Sequence, residues 1–221
     1  MHTHTERLRQ FKQLLQSMEQ DASSIECWHN LRRAPQAFDL LANQLPMRME
    51  GALTPYVRVL LTSRLLEATE VLSLPRLALQ MLHYLSSLLD AIDHVADRPT
   101  DMAYDGYEGN PSLYVRSLQC VKEVMRSEER RLQDFINPDV PLATWCKRYA
   151  DGCLFDPLER TFEWELHIAE VEELTHRSLP PDGSAFRPCY GYWERKAEVV
   201  RKLLHKEWKS PSEMNPTLIF D

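Results

Sequence analysis

Residues 54–97 read TPYVRVLLTSRLLEATEVLSLPRLALQMLHYLSSLLDAIDHVAD, and this stretch decides the fold class. Thr54 ahead of Pro55 is a helix start. The threonine hydroxyl can accept a hydrogen bond from an orphan N–H, and the proline stands where a missing N–H costs nothing. Val57, Leu61, Leu65, Ala68 and Leu72 then recur at helical spacing. Ser73-Leu74-Pro75 breaks the run, and Ala78, Leu82, Leu85, Leu89, Ile92 and Ala96 mark a second helix. So short a break predicts an antiparallel helical hairpin over 55–97.

The same start signal recurs at Asn110-Pro111 and Asp156-Pro157. Downstream of Pro111 the stripe is Tyr114, Leu118, Val121 and Met125, then Leu132, Phe135 and Ile136. Downstream of Pro157 the expected inward stripe is Leu158, Phe162, Leu166 and Ala169, with Trp164, Ile168 and Val171 beside it. A last helix, about 191–209, carries Trp193, Ala197, Val200, Leu204 and Trp208. Shorter helices are predicted around Leu8, Phe11, Leu14, Leu15 and Met18, after Pro35, and over 142–150. No segment alternates like a strand, and no repeat of fixed period occurs. The expectation is an all-α protein: an irregular multi-helix bundle of roughly seven to nine helices around the central antiparallel hairpin. One helical domain is expected over 1–209, with a possible subdivision near 98–110 and a non-helical tail at 210–221.

Composition narrows the function classes. Six glycines in 221 residues argue against a glycine-rich phosphate loop and a turn-rich all-β fold. Five cysteines, with no C-x-x-C pair, predict reduced thiols and not a disulfide framework or structural zinc site. The polar start of the chain predicts no secretory leader. No apolar run reaches the roughly 18 residues of a membrane span, so a soluble cytoplasmic protein is expected. The net charge of −7 disfavours broad nucleic-acid binding and leaves room for a local basic patch.

The sharpest chemical pattern is Glu67-x-x-Glu70 followed by Asp90-x-x-Asp93 on the predicted hairpin. Residues three apart share a helix face, so each pair presents two carboxylates together. Opposed across a hairpin, they could hold Mg²⁺. The pattern resembles that of the all-α nucleotide pyrophosphohydrolases, which pair a Glu-x-x-Glu helix with a Glu-x-x-Asp helix. The resemblance covers only this hairpin, and Asp90 stands where that family has Glu. It implies a Mg²⁺-dependent phosphohydrolase using Glu67, Glu70, Asp90 and Asp93, provided the four carboxylates reach one ion. Otherwise no cofactor is expected. Two Glu-x-x-His pairs, Glu26/His29 and Glu173/His176, have the spacing of di-iron ligands but lack lone glutamates in matching order.

Charge is segregated. Residues 151–173 hold eight acids against one arginine. Residues 185–209 hold seven basic residues against three glutamates. Arg195, Lys196, Arg201, Lys202, Lys206 and Lys209, with aromatics nearby, could track a nucleic-acid backbone. Alternatively, the basic helix packs against the acidic one. The preferred expectation is a non-enzymatic helical module that binds another protein, as a subunit or adaptor of a larger complex. Its contact candidates are Tyr104 and Tyr107 in an acidic-aromatic loop and Phe220 in the apolar tail.

Overall fold

A computed structural model describes residues 3–24, 26–49, 53–94, 111–179 and 188–219. Among these the protein is all-α, with nine α-helical segments and no strand. They are α1 (His4–Asp21), α2 (Asn30–Asp39), α3 (Pro55–Glu67), α4 (Pro75–His94), α5 (Pro111–Ile136), α6 (Leu142–Tyr149), α7 (Phe162–Ser178), α8 (Pro188–Leu204) and the single turn α9 (Pro211–Met214). Two 3-10 turns, Cys27–His29 and Pro157–Arg160, and a π turn, Leu40–Gln44, join them. Among the described residues no helix is long and apolar enough to cross a membrane.

The starts follow the sequence logic. Thr3, Thr54 and Thr161 each accept a backbone N–H at the head of α1, α3 and α7. α4 begins at Pro75, after Leu74. Its first free N–H groups, on Arg76 and Leu77, both donate to Glu165 Oε1 of α7, at 2.9 and 3.0 Å. A carboxylate at a helix N-terminus also meets the positive end of the helix dipole.

The pairing of helices can be read from named contacts. Arg58, early in α3, reaches Tyr84, while Leu66, at its end, packs beside the Ala78–Leu82 group. α3 and α4 therefore run antiparallel. His83 meets Glu129 and Asp90 meets Lys122, so α5 runs antiparallel to α4. Glu172 meets Lys196 and Glu163 meets Lys206, which sets α8 antiparallel to α7. One apolar cluster joins α1, α2, α3, α4, α7 and α8 around Phe11, Met18, Leu41, Leu65, Met81 and Trp164. A second group centres on Leu132 between α4 and α5, and a third on Phe135, Trp145 and Cys146.

Three sequence expectations are corrected. The segment after Asp156 is not one helix. Pro157–Arg160 forms a 3-10 turn, and Thr161 starts α7 afresh. The stripe that turns inward is Trp164, Ile168, Val171 and Thr175, whereas Phe162 and Leu166 are 58% and 62% exposed. The bulkier and β-branched stripe takes the core, because it buries more area at helical spacing. Next, α8 ends at Leu204: His205 adopts φ 55°, and the strap after it returns Trp208 to stack on Trp164. Finally, the tail contains a helical turn. Ser210 and Glu213 form a capping box around Pro211–Met214, and Asn215 anchors it by exchanging hydrogen bonds with the Leu154 backbone. Beyond that anchor Ile219 is 90% exposed.

Two arginines close helix ends. Arg58 is 1% exposed, and its guanidinium donates to the carbonyls of Leu41, Leu45, Pro46 and Met47 and to the Tyr84 hydroxyl. These carbonyls lie in and just after the π turn that ends α2, where the backbone lacks helical partners. Arg160 does the same for the end of α5, donating to the carbonyls of Asp134, Phe135, Asn137 and Val140.

Candidate functional site

Glu67, Glu70 and Asp90 of the suspected metal site do not converge. Glu67 and Glu70 lie at the α3–α4 connection, whereas Asp90 lies near the other end of α4, with Asp93 beyond it. At about 1.5 Å per residue the two pairs stand roughly 20 Å apart. An antiparallel hairpin brings Glu67 level with the start of α4, and two acidic pairs on successive helices meet only when they lie about equally far from the turn. Glu70 instead accepts from Ser73 and from the Cys27 thiol, and Asp90 pairs with Lys122. Among the described residues no group of three or more His, Cys, Asp or Glu is arranged to hold a metal ion.

The basic helix is likewise consumed internally. Lys196 binds Glu172, Lys206 binds Glu163, Arg195 binds Glu198 and Arg201 binds Glu207. Lys202 and Lys209 face solvent. Of the six basic residues, four thus spend their charge within the chain, two of them on the acidic helix α7. Tyr104, Tyr107 and Phe220 lie outside the described residues.

The densest polar constellation is one that spacing alone did not single out. It lies where the Cys27–His29 turn, α7, α8 and the returning strap meet. Glu172 is its hub. It is buried on α7, accepts from Lys196 Nζ at 2.6 Å and from the Tyr192 hydroxyl, and stands 4.0 Å from His176 Nε2. Burial, then the Glu172 charge, pushes the Tyr192 phenol far above its ordinary range. The indole of Trp28 stacks on His176 at 5.0 Å and touches His29 at 3.8 Å. The two Glu-x-x-His pairs of the sequence therefore flank Trp28, but Glu173 is taken by Arg32 and Arg177. The Cys27 thiol is raised by burial and by the nearby Glu70. It is held protonated, which is the opposite of what a nucleophile needs. One signal could have exposed Glu172: a carboxylate beside Val171 in the inward stripe Trp164–Ile168–Val171–Thr175. Arg58, in register with Leu61, Thr62 and Leu65, carries the same signal.

Outside this seam, α7 presents Phe162, Leu166 and Leu174 to solvent, the last 38% exposed. The Arg76 guanidinium lies 5.5 Å over the Phe162 ring, and Glu165 fixes Arg76 in turn at 3.0 Å. No protein-family model, curated protein or solved structure matches this chain.

Proposed function

We propose that this chain is a non-enzymatic helical interaction module, a subunit or adaptor of a larger complex, and that it binds another protein through the outer face of α7. The observation that carries this reading is the exposed pair Phe162 and Leu166 on successive turns of α7. Apolar side chains at this spacing form the stripe that a partner's helix or groove covers. Phe162 is ordered in advance by Arg76 and Glu165, which lowers the entropy lost on binding. The side chains that chemistry would need are committed inside the chain: Glu70 to Cys27 and Ser73, Glu172 to Lys196 and Tyr192. That commitment is why the Mg²⁺ phosphohydrolase and the nucleic-acid factor rank below it. Tyr104, Tyr107 and Phe220 stand as further contacts on the sequence argument alone.

The test is differential capture. The wild type and the Phe162→Ser/Leu166→Ser double variant serve as baits in native lysate, and bound proteins are identified by mass spectrometry. Val124→Ser, at an exposed apolar position on α5, serves as the surface control. A partner held by the wild type and the control but lost from the double variant supports the reading. Identical partner sets for all three, with the helical circular dichroism of the double variant intact, sink it.

A further inference from the structure

Lys196 is placed unlike any other described lysine. Its ammonium donates to Glu172 Oε1 at 2.6 Å and lies 5.2 Å from the Trp208 ring centre, 5.3 Å from that of Trp164 and 5.8 Å from that of Tyr192. The walls of this cage come from three parts of the chain: Trp164 and Glu172 on α7, Tyr192 on α8 and Trp208 on the strap. A second carboxylate, Glu159, accepts from Trp208 Nε1 at 2.9 Å and fixes that indole. Aromatic faces and a carboxylate are how a desolvated ammonium is recognised. The cage has one acid on the ammonium, a second behind an aromatic wall and a single cation inside, so it selects positive charge. The Lys196 side chain keeps 12% of its exposure.

We infer that the cage of Trp164, Tyr192, Trp208 and Glu172 is a binding site for a primary alkylammonium group, that the chain fills it with its own Lys196, and that it accepts a free alkylammonium when that side chain is removed. The site latches the strap onto α7, because Trp208 is both a wall of the cage and the anchor of residues 205–210. This inference does not depend on what the outer face of α7 binds.

The experiment uses the full chain with Lys196→Ala, which removes three methylenes and the ammonium. Thermal midpoints of the wild type and the variant are measured with n-propylammonium, with n-propanol, with tetramethylammonium and with sodium chloride at matched concentration. Lys196→Ala should melt below the wild type. Propylammonium should raise the variant's midpoint saturably, as a ligand of the folded state does, and leave the wild type unmoved. Propanol, of the same size but neutral, and tetramethylammonium, charged but without an N–H to give Glu172, should do less. Equal effects of propylammonium and propanol, or of propylammonium and tetramethylammonium, would overturn the assignment. So would an equal shift of the wild type, or a variant that melts like the wild type. Should Lys196→Ala not fold alone, folding in propylammonium but not in propanol supports the site, and failure in both overturns it.

Discussion

Arg58 and Lys196 are both cations taken out of water, and the protein accommodates them in opposite ways. Arg58 meets no acid among its hydrogen-bond partners. Its fork spreads over four backbone carbonyls and one hydroxyl. Lys196 meets one carboxylate head-on and three aromatic faces. The difference follows from side-chain chemistry. A guanidinium offers five N–H groups in a rigid plane and can serve the diverging carbonyls of an unwound helix end. An ammonium is a compact point charge and needs a counter-charge or a π face close by. The first arrangement is a repair of the backbone, where α2 runs out into its π turn. The second is a clasp between elements, which could be undone without unwinding either helix.

The largest effect should come from breaking the repair. Arg58→Ala takes the guanidinium from four carbonyls, those of Leu41 and Leu45 buried, and should cost about 4 kcal/mol or more in a urea titration. Arg58→Lys should recover only part of this, because three donors on one atom cannot span that fan of acceptors. A lysine variant as stable as the wild type would erase the contrast. Breaking the clasp at its acid should cost less. Glu172→Gln keeps an acceptor for Tyr192 and removes the counter-charge of Lys196, for an expected loss of about 1.5–3 kcal/mol.

A pH series separates the two sites further. Burial raises the Glu159 carboxyl above its ordinary 4.5, against the lowering influence of Lys196 and of the Trp208 hydrogen bond. The folded state therefore holds that proton more tightly than the unfolded chain. The associated stability is complete below about pH 4.5 and is lost as pH rises through the elevated value. Glu159→Gln should remove this decline, and the melting midpoint should then vary less across the same window. An unchanged slope would place the carboxyl in water. The smallest effect belongs to the solvent side of α8. Arg201→Glu/Lys202→Glu should leave the melting midpoint close to that of the wild type, since the Arg201–Glu207 pair is exposed. The grip of α8 on α7 is through Lys196 and the buried Val200 and Leu204 instead.

Much of the fold was legible because its signals are local. Thr54-Pro55 and Pro75 mark where α3 and α4 begin, and Asn110-Pro111 stands at the head of α5. The spacing of Leu61, Leu65, Leu82, Leu85 and Leu89 marks what those helices bury. The stretch after Pro157 was misread because two apolar stripes share α7, and only packing partners choose between them. Trp164 has Trp208 and Lys196 to meet, while Phe162 lies under Arg76 and stays 58% exposed. Trp208 fits a helical stripe with Leu204, and nothing in the sequence announces that His205 turns left-handed and ends the helix. The carboxylate quartet shows a related limit. Spacing within each helix is readable, but which residues face each other across a hairpin depends on where the turn falls.

The sequence by itself determined that this chain folds into helices, where most of them start, and which side chains are apolar enough to need cover. Helical period and capping are properties of neighbouring residues, so they can be read without the rest of the molecule. Only the tertiary structure decided that Arg58 closes α2, that Glu165 caps α4, and that Glu172, Tyr192 and Lys196 meet while Phe162 and Leu166 stay exposed. The buried outcomes depend on residues far apart in the chain competing for the same space. That competition is settled by packing and desolvation, not by spacing.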